Sequence, residues 1–141
     1  MRINGKCHCG NISFTLDWPP APAGIPARAC TCTFCRKHGG VWTSAPGGVL
    51  RVSIADRAAA SSYSFGTRTA DFHVCGRCGI VPLVTSRIDG HLYAVVSVNA
   101  FEGVDSSLIR EATSANFDGE TEAVRLKRRT QNWIADVEFV R

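Results

Sequence analysis

No stretch of this chain is long and apolar enough to suggest a membrane span, and Met1 to Gly10 lack the apolar core of a secretory leader. The chain is therefore expected to be cytoplasmic, where thiols stay reduced. Repeats and low-complexity tracts are missing as well, which leaves one compact domain over residues 1–141 as the expected organisation. Excess charge is small: 16 basic and 12 acidic residues give a net charge of +4, and there is no long basic extension. Electrostatic binding of nucleic acid needs a larger cationic face, so neither a nucleic acid nor a membrane is an expected partner. Helix signals are also few, confined to Asp56 to Ala60 and parts of the C-terminal segment.

What the chain does have is seven cysteines in three tight groups, Cys7/Cys9, Cys30/Cys32/Cys35 and Cys75/Cys78. An odd number cannot pair completely. A bridge within Cys7-His8-Cys9 or Cys30-Thr31-Cys32 would close a small, strained ring. Metal binding accounts for the pattern better: a closed structural zinc site takes four protein ligands and an open reactive one takes three, so seven thiols divide as four and three.

The rest of the sequence reads as short strands. Ile12, Phe14 and Leu16 alternate with polar residues until the break at Trp18-Pro19-Pro20, and a proline-rich connection follows to Pro26. Val41 to Thr43 and Val49 to Ile54 are expected to be two strands joined by a turn at Pro46-Gly47-Gly48. Tyr63 and Phe65 face Ala70, Phe72 and Val74 across Gly66-Thr67 as a second pair. Ile80 to Ile88 and His91 to Val98 flank Asp89-Gly90, a strong hairpin signal because a type I′ turn needs positive φ at both central residues. The fold class expected is all-β, mainly antiparallel, with few short helices and a metal staple. The basic run Arg125-Leu126-Lys127-Arg128-Arg129 reads as a solvated strand or helix end.

Spacing then divides the thiols. In an extended strand, residues i and i+2 share a face, so Cys7 and Cys9 can reach one metal, as can Cys30 and Cys32. Cys75-Gly76-Arg77-Cys78-Gly79 reads as a knuckle turn whose backbone N–H groups can donate to the sulfurs. The pairs from distant points in the chain complete a four-thiolate structural site, Cys7, Cys9, Cys75 and Cys78. Cys30, Cys32 and Cys35 supply three thiolates on what reads as a strand and turn. His8, His38 and His73 stand near the cysteines, but each is read as a surface or supporting group rather than a ligand. If none of them ligates, the fourth position at the second site falls to water or a substrate thiol, and the spacing alone does not decide between these. Lys6, Arg36, Lys37 and Arg77 are read as offsetting thiolate charge, and Arg36, Lys37 and Arg77 as alternative partners for substrate carboxylates. Phe34 and Trp42 are expected in the core, with a cleft wall as the alternative.

The order Gly5-Lys6-Cys7-His8-Cys9-Gly10, Cys30-Thr31-Cys32-Thr33-Phe34-Cys35-Arg36 and Cys75-Gly76-Arg77-Cys78-Gly79, with Tyr63 to Gly66 and Val96 to Asp105 between and after, resembles the family of glutathione-dependent formaldehyde-activating enzymes and centromere protein V. The resemblance implies a β-tent fold and two Zn2+ ions. Carried onto this sequence, Cys7, Cys9, Cys75 and Cys78 would hold the structural ion, and Cys30, Cys32 and Cys35 the catalytic one. It further implies a carbon–sulfur lyase resembling S-(hydroxymethyl)glutathione synthase, with a small-molecule thiol such as glutathione and a small aldehyde such as formaldehyde as partners. Two alternatives stand beside it: a zinc-stabilised binding module contacting nucleic acid or protein, and a redox-responsive protein whose second cluster oxidises once metal leaves.

Overall fold

A computed structural model of the chain describes residues 1–140. Its strands are β1 (Arg2–Lys6), β2 (Ile12–Asp17), β3 (Arg28–Cys30), β4 (Val41–Thr43), β5 (Val49–Ile54), β6 (Ala60–Tyr63), β7 (Asp71–Cys75), β8 (Leu83–Ile88), β9 (His91–Ser97), β10 (Phe101–Glu102), β11 (Thr113–Ala115) and β12 (Asp136–Val140). Two helices interrupt them, α1 (Thr33–His38) and α2 (Glu122–Asn132). The strands form a five-stranded sheet, β10-β1-β2-β5-β12, and a seven-stranded sheet, β11-β3-β4-β9-β8-β7-β6. Pairing is antiparallel except for β12 on β5 and β11 on β3, so the fold is all-β and mainly antiparallel, as expected.

Alternation explains how the large sheet serves two purposes. Leu83, Ala94 and Val96 face the five-stranded sheet and join Ile3, Leu16, Leu50 and Val52 in one core. Val84 and Val95 point the opposite way and pack with Cys35, Trp42 and Trp133. A sheet covered on both faces needs apolar residues at successive positions, hence the unbroken apolar runs of β8 and β9. The hairpin between them turns at Asp89 and Gly90 with φ of 51° and 78°, the type I′ signature.

Several expectations need correction. β4 and β5 are not a hairpin: β4 pairs with β9 in the large sheet and β5 with β2 in the small one, so Pro46-Gly47-Gly48 is a crossing between sheets. The crossing is tight, with Gly48 N–H donating to Ala45 O at 2.8 Å, and a Cβ at Gly48 would lie 3.0 to 3.2 Å from Ala45 and Leu16, so that they would have to shift. Asp56 to Ala60 forms only a single 3-10 turn, Arg57–Ala59, capped by the Asp56 side chain. The basic run lies on α2 and is only partly solvated: Lys127 is exposed, Arg125 and Arg128 are half-buried, and Arg129 is buried at 7% exposure. Among the described residues, no helix is long and apolar enough to cross a membrane.

Candidate metal centres and the adjoining cavity

The first cysteine group is built from two turns. β1 stops at Lys6, and Cys7 to Gly10 bend back, with Gly10 N–H donating to Cys7 O at 3.1 Å; a turn rather than strand alternation brings Cys7 and Cys9 together. β7 ends at Cys75, and the knuckle closes through Gly79 N–H to Cys75 O at 2.8 Å, with Gly79 at φ 79°. The four sulfurs lie within 4.8 Å of one another. Cys7 Sγ is 3.7 Å from Cys9 Sγ, and Cys9 Sγ is 3.5 Å from Cys75 Sγ. Four sulfurs about 2.3 Å from a tetrahedral zinc would be about 3.8 Å apart, so the donor set fits such an ion.

Backbone donors surround this group. Ile12 N–H points at Cys7 Sγ at 3.3 Å. Burial opposes ionisation of Cys78, but N–H groups of Cys9 and Ile80, helped by the thiols of Cys75 and Cys7, outweigh it and bring Cys78 to about 6. Cys75 is lowered in the same way: burial is outweighed by N–H groups of Cys78 and Arg77. Burial pushes Cys7 up to about 11, so it is the thiol of this group that depends most on a bound cation for ionisation. Of the nearby cations, Arg77 pairs with Asp56 at 2.7 Å and Lys6 with Glu102 at 3.4 Å.

The second group differs from the expected strand and turn. Cys30 ends β3, Cys32 is the N-cap of α1, and Cys35 lies in its first turn. Cys35 N–H donates to Cys32 Sγ at 3.4 Å, so sulfur takes the role that a hydroxyl or carboxylate oxygen usually fills at a cap. Gly39, at φ 70°, ends the helix after six residues. The three sulfurs lie within 4.8 Å of one another. A hydrogen bond from the Cys35 thiol holds Cys30 down at about 5 against the opposing effect of burial, with N–H and thiol groups of Cys32 assisting. Cys35, as the donor and also buried, is raised.

These three cysteines line a cavity of about 270 Å3, whereas none of the first four does. Its apolar wall includes Trp42, Phe65, Phe72 and Trp133, so Trp42 is both core and cavity wall. Phe34 stacks outside that wall on Tyr63, Phe65 and His38. Neither His38 nor His73 lines the cavity. His73 follows Phe72 in β7 and so faces the other side, where it bonds Thr85 Oγ1 at 2.7 Å and packs on Phe139. His8 is exposed in the Cys7 to Gly10 turn.

The cations of the cavity are not those beside the cysteines in sequence. Arg36, Lys37 and Arg77 do not line it; Arg28, Arg125, Arg128 and Arg129 do. Arg28 was legible in principle, two residues before Cys30 on one strand and hence on its face. The α2 arginines are spaced i, i+3 and i+4, which puts them on one helical face, but which way that face turns depends on the tertiary packing.

Fold and site together define an all-β protein with two cysteine centres suited to a thiophilic metal, one whose cysteines do not line the cavity and one opening onto it. Residues 2–115 match the family model described as glutathione-dependent formaldehyde-activating enzyme, and the chain belongs to that family. A crystal structure of a Rhodobacter sphaeroides protein is similar at 32% identity with a TM-score of 0.61, over 79% of this chain and 99% of that one.

Proposed function

We propose that this protein is a carbon–sulfur lyase that joins glutathione, or a related thiol, to formaldehyde or another small aldehyde, with Cys30, Cys32 and Cys35 as the catalytic metal ligands. Cys7, Cys9, Cys75 and Cys78 hold a structural ion in this reading. The observation that carries it is the placement of the three-sulfur group, and not the four-sulfur group, on the cavity wall. A zinc ion held by three protein thiolates would supply a Lewis acid that favours the thiolate form of a substrate thiol at neutral pH.

The chain's own residues prepare the site. The thiolate at Cys30 is favoured by hydrogen bonds from its neighbours, and the N–H of Cys35 fixes the Cys32 sulfur. Trp42, Phe65, Phe72 and Trp133 exclude water from one side, which strengthens interactions with charge inside the cavity. In the addition, the sulfur–carbon bond forms as the carbonyl π bond opens, and the thiol's proton ends on the former carbonyl oxygen. Nothing is oxidised or reduced. No histidine lines the wall, and Asp118, the acid on it, or water carries that proton.

The test is exchange spectroscopy on glutathione and isotopically labelled formaldehyde, which equilibrate with their adduct without a catalyst. The protein should raise the exchange rate above that of buffer, and Cys35→Ser should return it to the buffer rate. An unchanged rate with fully metal-loaded protein contradicts the proposal.

A further inference from the structure

Four guanidinium groups line the cavity, and their partners divide them into two kinds. Arg128 makes a two-pronged pair with Glu120 at 2.9 and 3.0 Å and lies 3.6 Å over the Phe117 ring. Arg125 donates to Phe117 O at 2.8 Å and reaches the same carboxylate at 3.7 Å. These two are ion-paired within the protein, sharing the single Glu120 carboxylate, although Arg125 Nε is buried without a hydrogen bond.

Arg129 is not. At 7% exposure its Nη1 donates only to neutral acceptors, Thr69 Oγ1 at 2.8 Å, Ser86 Oγ at 3.1 Å and Thr69 O at 3.3 Å. Its Nε is buried and donates to nothing. Among the described residues, neither Arg129 nor Arg28 forms an ion pair. Asp118, the acid on the cavity wall, therefore leaves both unpaired. A buried guanidinium without a counter-charge is costly unless a ligand brings one, and a guanidinium suits a carboxylate held by two parallel bonds.

We propose that Arg28 and Arg129 receive an anionic group of the thiol substrate, so that the site selects thiols carrying a carboxylate over simple alkyl thiols. This rests on the reading of Cys30, Cys32 and Cys35 as the thiol site. Arg28 and Cys30 share one face of β3, which places the carboxylate and sulfur ends of one molecule on the same wall. The family match ends at residue 115, so Arg129, with the rest of α2, lies outside it, and selection for acidic substrates depends on a segment that the match does not include.

The test uses S-methylglutathione, which has no thiol proton to lose, and its diester, titrated calorimetrically into the metal-loaded protein. The acid is expected to bind at least tenfold more tightly than the ester. Arg28→Gln should weaken the acid about tenfold and leave the ester unchanged, and Arg129→Lys should do the same, because an ammonium keeps the charge but loses the fork. If Arg129→Lys fails to fold, Arg28→Gln decides alone, since Arg28 is only half-buried. Equal affinity for acid and ester, no binding of the acid, or an Arg28→Gln protein that binds the acid as tightly as the unmodified protein overturns the proposal. Because no sulfur–hydrogen bond is involved, such a failure leaves the proposed thiol chemistry standing, and a failure of the exchange experiment leaves carboxylate binding to be judged here.

Discussion

Cys9 Sγ lies 3.5 Å from Cys75 Sγ across 66 residues of chain. That closeness joins the turn after β1 in the small sheet to the end of β7 in the large one, and both Cys7 and Cys75 are fully buried in the shared core. A metal at this position would hold the two sheets together.

Removing metal from the four-sulfur group should therefore unfold the protein. Structural zinc contributes on the order of 10–16 kcal/mol in small domains, comparable with the about 5–15 kcal/mol of net stability a domain possesses. Strong chelation, or Cys75→Ser, is expected to abolish the cooperative thermal transition followed by circular dichroism. A transition retained at its original temperature would show that the core alone carries the fold.

Cys35→Ser should behave differently. Cys35 lies on a six-residue helix beside the cavity, and among the described residues no disulfide ties its group to the rest of the chain. The variant is expected to stay folded, to lose one of two equivalents of zinc by elemental analysis, and to lose activity. A single equivalent in the unmodified protein would rule out the two-site arrangement.

Helix α2 depends on its cap. Thr121 Oγ1 accepts from Val124 N–H at 3.2 Å, so Thr121→Ala should cost about 1 kcal/mol in urea unfolding. The cost should appear in the midpoint with the slope unchanged. No measurable loss would mean that packing of Arg129 and Trp133 alone sets the helix.

The pairing of Glu120 with Arg128 has a definite pH dependence. The Arg128 hydrogen bond holds the Glu120 carboxyl below its usual range, against the opposing effect of burial. A depressed carboxyl contributes stability that is complete above the unfolded value of about 4.3 and is lost as pH falls toward the lower folded value. Glu120→Gln should thus be less stable than the unmodified protein at neutral pH and converge with it in acid. A difference that stays constant from pH 7 down to 3 would contradict the assignment.

Much of this was legible in the sequence because it depends on short spacings. The Asp89-Gly90 hairpin and the Cys75 to Gly79 knuckle follow from local geometry, while the division of cysteines into four and three follows from ligand counting, and Cys7 and Cys9 meet through a turn rather than on one strand face. Helix α1 was not legible: six residues are too few for a periodic pattern, and its cap is a cysteine sulfur rather than a commoner oxygen. The partnership of β4 with β9 rather than β5 was hidden because Val41 to Thr43 is too short to show which sheet it joins. The cationic wall was misplaced for a related reason. Arg36 and Lys37 adjoin Cys35 in sequence but turn outward on α1, whereas Arg129 reaches the cavity only when α2 packs against Thr69 and Ser86.

The most direct measurement is the visible spectrum of cobalt-substituted protein titrated with glutathione. If Cys30, Cys32 and Cys35 hold a metal with one position open, saturating thiol should change the cobalt bands, and Cys35→Ser should abolish that change while leaving the bands of the four-sulfur site intact. A spectrum of the fully loaded protein that is unaltered at saturating glutathione would contradict an open, thiol-accepting centre.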